Sequence, residues 1–217
     1  MKKVVTFGEI LLRLSPPSYL RITQATSFDS YYGCAEANVA ASLAKFGLPV
    51  KFITAVPPNE LGESAINMLR SFGVKPIVTT QGKRLGIYYF GQGASERPGK
   101  VVYDREDSSF SLFRKGMIDW EEIFKNAHWF HWSGITPSLS QDLAELCEEA
   151  LIVADRMGLT ISADLNYRPT LWKYGKKANE VMPNLVKYCD VLLGGADETQ
   201  IVLGIDYKEN ETQEEVF

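Results

Sequence analysis

Short runs rich in β-branched and aromatic residues alternate along this chain with amphipathic runs of helical period. No other feature constrains the fold as strongly. Residues 4–10 precede a helical run over 35–46, 50–55 precede 61–72, 128–133 precede 140–157, and 160–166 precede 178–188. Such alternation predicts βαβ units, and therefore an α/β fold with a mostly parallel sheet flanked by helices. In the run from Ser140, the residues Leu143, Leu146, Cys147, Ala150, Val153, Ala154 and Met157 recur at steps of three and four and share one face. Glu145, Glu148, Glu149 and Asp155 fall away from it, which predicts a helix with one face in the core and a wet back.

Two segments interrupt the pattern. Residues 11–33 and 85–113 are too long for βα connections, and the second holds β-like runs over 86–92 and 100–104 joined by a loop rich in Gly, Pro and Ser. They are expected to leave the main sheet and pair as a small β-sheet lid, inserted into one α/β domain over 1–217. A pair of ordinary surface hairpins is the alternative.

Composition narrows the partners. A formal charge of −4 and a pI near 5.3 lack the basic field that nucleic acid or an acidic membrane surface requires, so small molecules are expected instead. No run approaches the roughly eighteen apolar residues of a membrane span, and the first residues show no signal-peptide pattern, which predicts a cytoplasmic protein. Cys34, Cys147 and Cys189 are odd in number and without CxxC spacing, as expected of reduced thiols.

Three places carry polar groups suited to a small ligand. The run Gly33-Cys34-Ala35-Glu36-Ala37-Asn38 opens an alanine-rich helix, and small residues there let free N–H groups approach a ligand beside Asn38. Close packing of that helix on the sheet explains the same residues. Asp164-Leu165-Asn166-Tyr167-Arg168-Pro169 follows a strand at the end where open parallel sheets bind ligands, and Arg168 there can grip an anion with two parallel bonds. An Asp164–Arg168 pair closing the loop is the competing reading. The lid segment supplies Tyr88, Tyr89, Tyr103 and Arg105. Tyr103 and Arg105 fall on one side of a strand, and an arginine on an apolar face needs an anion. His128 and His131 have HxxH spacing but point to opposite sides of a strand, which excludes an easy shared metal. Gly91-Gln92-Gly93 lacks the flanking elements of a nucleotide-binding loop.

Taken in order, Val5-Thr6-Phe7-Gly8-Glu9, the 33–40 run, Tyr103-Asp104-Arg105, the 164–168 run with Leu171-Trp172, and Cys189-Asp190-Val191-Leu192-Leu193-Gly194 resemble the ribokinase-like (PfkB family) carbohydrate kinases. Within them the resemblance is nearest to 2-keto-3-deoxygluconate kinases. It implies ATP-dependent phosphorylation of that sugar acid, with Mg2+, and a sugar held between the large domain and the lid. It further implies that Gly33 and Asn38 meet sugar hydroxyls, that Tyr89, Tyr103 and Arg105 close over the sugar, and that Arg168 meets its carboxylate. Asn166 and Glu198 are implied on the nucleotide side, and a homodimer through the lid is expected. Two arginines favour an acid over a plain hexose. Fructokinase, another PfkB sugar kinase, or a non-catalytic sugar-acid-binding relative are the alternatives.

Three departures qualify the resemblance. Cys34 stands where the family has a second glycine, and Gly195 stands where it has the asparagine of Asn-x-x-Glu, with the acid kept as Glu198. The family's Gly-Ala-Gly-Asp segment, whose Asp deprotonates the sugar hydroxyl, has no counterpart in these residues. The chain is therefore expected to be incomplete at its C-terminus and inactive alone. Gly194-Gly195-Ala196-Asp197 could mimic the missing segment, but its place in the chain fits Asn-x-x-Glu better.

Overall fold

The alternating runs become parallel strands joined by helices in each of the two units into which the chain divides, Met1–Phe113 and Arg114–Phe217. The structure is a computed structural model and describes residues 2–205. The expected single domain over 1–217 thus reaches beyond the described residues.

The first unit runs β1 (Val4–Phe7), β2 (Leu11–Ser15), β3 (Asp29–Gly33), α1 (Ala35–Lys45), β4 (Val50–Val56), α2 (Glu60–Ser71), β5 (Lys75–Thr80), β6 (Ile87–Gly91) and β7 (Lys100–Asp104). Strand β1 pairs with β4 in parallel, Val4 opposite Val50, and β4 with β5, Lys51 opposite Lys75. Strand β1 is buried throughout and β4 nearly so, as their near-continuous apolar runs require of strands covered on both faces. Strand β5 was not legible in the sequence. Its Lys75 and Pro76 break the apolar run, and Pro is tolerated because β5 lies at a sheet edge. The expected strand over 4–10 stops at Phe7, leaving Gly8, Glu9 and Ile10 as a buried connection to β2.

The two interrupting segments form a separate four-stranded sheet in the order β3-β2-β6-β7. It is mixed: β2 is antiparallel to β3 and parallel to β6, and β6 is antiparallel to β7. The register sets Tyr31, Arg13, Tyr88 and Tyr103 in one row across the sheet.

The second unit runs α3 (Trp120–Phe124), β8 (Trp129–Ser133), α4 (Ile135–Leu139), α5 (Gln141–Arg156), β9 (Thr160–Asp164), α6 (Ala178–Val186), β10 (Val191–Leu193) and α7 (Ala196–Leu203). Strands β8, β9 and β10 are parallel, with Trp129 opposite Thr160 and Val191 opposite Ser162. Helix α5 starts at Ser140, whose hydroxyl accepts from the Leu143 N–H at 3.2 Å. Its expected core face is real and wider than the pattern gave, adding Ala144 and Leu151, whereas Met157 sits past the last turn and is exposed. Among the described residues, no helix is long and apolar enough to cross a membrane.

Candidate functional site

In the first unit, the buried charges gather where β1 ends, α1 begins and β7 ends. Glu9, Glu36 and Arg105 keep 3 %, 0 % and 8 % of their surface. Arg105 donates to Glu9 Oε2 from Nε at 2.9 Å and again from Nη2. The anion that a buried arginine needs is thus supplied within this chain by Glu9. Burial pulls the Arg105 pKa down, but the Glu9 carboxylate beside it more than offsets that and leaves the guanidinium above its ordinary value, and charged.

Glycines make room for both carboxylates. A Cβ on Gly8 would collide with the Glu36 carboxyl group, and one on Gly86 would sit 2.7 Å from Glu9 Oε1. Cys34 lies beside this cluster. Burial first, then the charge of Glu36, pushes its thiol up to about 12, so it stays protonated and is no nucleophile at neutral pH. Its backbone is fully extended (φ 179°), so a cysteine in place of the second glycine that the family resemblance implies brings no backbone strain.

The second sheet divides the expected aromatic residues between its faces. Tyr103 and Arg105 do come together, the guanidinium carbon lying 5.8 Å from the ring centroid. The tyrosine beside Tyr103 is Tyr88, at 6.1 Å between centroids. Tyr89 points to the opposite face and packs edge-on against Phe28 at 5.6 Å. The expected convergence of Tyr89 with Tyr103 is therefore corrected: alternation along β6 gives that place to Tyr88. Arg13, which sequence reasoning passed over, stands in the same row, 5.5 Å from the Tyr31 ring and 4.4 Å from Phe90. Burial raises the Tyr88 phenol, and Arg13 partly offsets the rise.

Gly33 ends β3, and Asn38 stands exposed one turn into α1. They are neighbours, since a Cβ on Gly33 would come within 2.8 Å of Asn38 Oδ1. A cavity of about 490 Å³ in this unit, lined by Leu20, Ile22, Gly91, Arg97 and Lys100 among others, includes none of the expected site residues.

In the second unit, the loop after β9 is tied to α7. Asp164 accepts from the Asn166 backbone at 3.0 Å and from its side-chain amide at 3.2 Å, and Asn166 adopts a left-handed φ of 42°. Burial raises the Asp164 carboxyl. Arg168 does not close the loop onto Asp164; its salt bridge, at 3.9 Å, is with Glu198. Glu198 also accepts from the Tyr167 N–H at 3.0 Å and, as a helix cap, from the Gly195 N–H at 3.2 Å. Gly195 has open space where a side chain would project, so the asparagine that the family resemblance implies would fit there.

These residues do not make a metal centre. Both Glu198 oxygens accept backbone N–H groups, Asn166 is bound to Asp164, and no group of three or more ligating side chains occurs among the described residues. Glu9 and Glu36 were the groups that sequence reasoning missed. The signal was a Gly-Glu pair directly after the β-rich run Val4–Phe7, a strand that is buried throughout, where a solvated acid is not expected.

The sequence matches the pfkB family carbohydrate kinase model over residues 1–216. The chain belongs to the pfkB family of carbohydrate kinases. A 2-dehydro-3-deoxygalactonokinase of Haloferax volcanii is 37 % identical over 205 residues, which are 94 % of this chain and 64 % of the relative. The crystal structure of 2-dehydro-3-deoxygluconokinase from Thermotoga maritima superposes with a TM-score of 0.94 at 49 % identity, over 99 % of this chain and 66 % of that one. Fructokinase from Xylella fastidiosa, 23 % identical with a TM-score of 0.81 over 94 % of this chain and 65 % of its own, shares the fold. The chain thus spans slightly less than two thirds of these relatives, and its fold is that of the pfkB kinases, a mostly parallel α/β sheet with a small mixed sheet.

Proposed function

We propose that this protein takes part in phosphoryl transfer from ATP to the terminal hydroxyl of 2-keto-3-deoxygluconate, also called 2-dehydro-3-deoxygluconate, or of its galactonate epimer. The observation that carries the reading is the buried, charged Arg105 beside Tyr103 in a pfkB chain similar to sugar-acid kinases. A guanidinium kept charged under burial suits a carboxylate, and a neutral hexose offers none. Gly33 and Asn38 are assigned to sugar hydroxyls, because the missing Cβ lets the exposed Asn38 amide lie against the strand end. Tyr88 takes the place first given to Tyr89.

Arg168, with nearly half its side chain exposed, carries a carboxylate role on the family resemblance alone. Asn166 and Glu198 are assigned to organising the loop after β9 on the nucleotide side. Mg2+ would neutralise phosphate charge in such a reaction, but the second unit's acids are engaged as above, and no step is assigned through it. A cytoplasmic location belongs to this reading. So does a homodimer through the second sheet, supported by the exposed Val101 and Val102 on its edge strand.

Calorimetric titration with the keto acid and with fructose tests the substrate. Arg105→Leu should weaken acid binding by one to two orders of magnitude, as expected from losing a charged hydrogen bond worth roughly 1.5–3 kcal/mol, and change fructose binding far less. Arg168→Leu should do the same to a smaller extent because its contact is more exposed. Equal losses for both sugars would move the preference to a fructokinase.

A further inference from the structure

Among the buried charges of the first unit, Glu9 has a feature that packing does not explain. Its Oε2 receives both the Nε and the Nη2 hydrogens of Arg105, while its Oε1, although buried, has no hydrogen-bond partner among the described residues. Burying a carboxylate beside an arginine contributes little net stability once both are stripped of water, and an unmet oxygen makes the balance worse. A hydrophobic pair would hold this junction at least as well. The arrangement does, however, fix direction. Held by its Nε and Nη2 side on one oxygen, the planar guanidinium cannot turn, and it makes no other hydrogen bond among the described residues. Its Nη1 side is left for an external acceptor.

We propose that Glu9 is the positioning residue for Arg105, aiming the Nη1 side of the guanidinium at the carboxylate of a sugar acid, and that position 86 is glycine to admit the pair. A Cβ at Gly86 would stand 2.5 Å from Leu11 Cδ2, 2.7 Å from Glu9 Oε1 and 3.1 Å from Arg105 Cβ, so a side chain there crowds Leu11 and both members of the pair. The second carboxylate, Glu36, keeps the pocket from being a general anion trap. Arg105 is already balanced by Glu9, so an incoming anion gains from geometry more than from net charge. This inference rests on the substrate reading above, in which Arg105 meets a carboxylate.

Two conservative variants separate orientation from charge. Glu9→Asp keeps the charge and withdraws the oxygen by about one bond length; Glu9→Gln keeps an acceptor oxygen in place and removes the charge. The 217-residue chain is titrated with 2-keto-3-deoxygluconate and with fructose, and each variant is melted as a check on folding. The exchange rate of the Arg105 Nε–H is read by NMR. A positioning role predicts that Glu9→Asp loses about tenfold in acid affinity with fructose binding unchanged, and that the protected Nε–H signal disappears. Glu9→Gln should keep acid affinity within about threefold and keep the signal. The reverse order, or equal behaviour of both variants and wild type while wild type still prefers the acid, overturns the positioning role alone. A wild type that binds acid and fructose equally, or neither, overturns the substrate reading and this inference with it.

Discussion

A buried hydroxyl without a partner shows how single residues set the balance in the first unit. Thr54 lies in β4 with no exposed surface, and its Oγ1 makes no hydrogen bond among the described residues. Replacing it with valine removes an unmet polar group and keeps the β-branched shape that the strand prefers. Thr54→Val is expected to raise the free energy of unfolding by about 1 kcal/mol, read from urea denaturation at unchanged slope. A loss of stability would mean that the hydroxyl has a partner after all. The same residue-scale reasoning shows what sequence could and could not give. The need of Arg105 for an anion was legible from its place after a β run, but the identity of that anion was not. Glu9 is 96 positions away in the chain, and only the paths of β1 and β7 bring the two side chains together.

At the scale of elements, periodicity was enough wherever the two faces of an element differ. The core face of α5, the two β runs of the second sheet and the strands β1, β4, β8 and β9 were all readable. Elements whose faces are alike or whose length is a single turn were not: β5 begins Lys-Pro, and α3 and α4 have five residues each. That Tyr88 rather than Tyr89 shares a face with Tyr103 was not legible for a related reason, since alternation says that adjacent residues take opposite faces without fixing the register across strands.

Strand β8 carries the pH prediction. His131 is buried, with Nδ1 2.9 Å from Ser162 Oγ, and that oxygen already accepts from Trp129 Nε1 at 2.7 Å. The serine hydroxyl is then left to donate to Nδ1, which suits the neutral ring with its proton on Nε2. Burial lowers the His131 pKa below its ordinary 6.5. A depressed histidine favours the native state above pH 6.5, and that contribution is lost as pH falls through its folded value, because the unfolded chain takes up the proton first. Melting temperature is therefore expected to drop between pH 7 and pH 5. His131→Phe should show a smaller drop over the same interval, and parallel curves for the two proteins would clear His131 of the effect.

For the whole molecule the decisive quantity is what the 217 residues contain. Phosphoryl transfer depends on aligning the nucleophile and neutralising charge on the transferring group, and in pfkB kinases a Gly-Ala-Gly-Asp run is expected to supply both the base and a helix N-terminus for the phosphate. No such run occurs in this sequence. The nearest substitute, Gly194-Gly195-Ala196-Asp197, leads into α7, but the first turn of that helix carries Asp197 and Glu198, and Glu198 already occupies the Gly195 N–H. Two carboxylates at the positive end of a helix oppose the approach of a phosphate. The 217-residue chain is therefore expected to release no ADP in a coupled assay with ATP and 2-keto-3-deoxygluconate, while still binding the acid by calorimetry. Fusing it to the remaining third of the Thermotoga maritima relative, with which it shares 49 % identity, should bring turnover into the ordinary range of roughly 1–1000 per second. Changing the Asp of the Gly-Ala-Gly-Asp run in that fusion should abolish turnover and leave acid binding intact. Turnover by the 217 residues alone, lost on Asp197→Asn, would instead place the base at the start of α7.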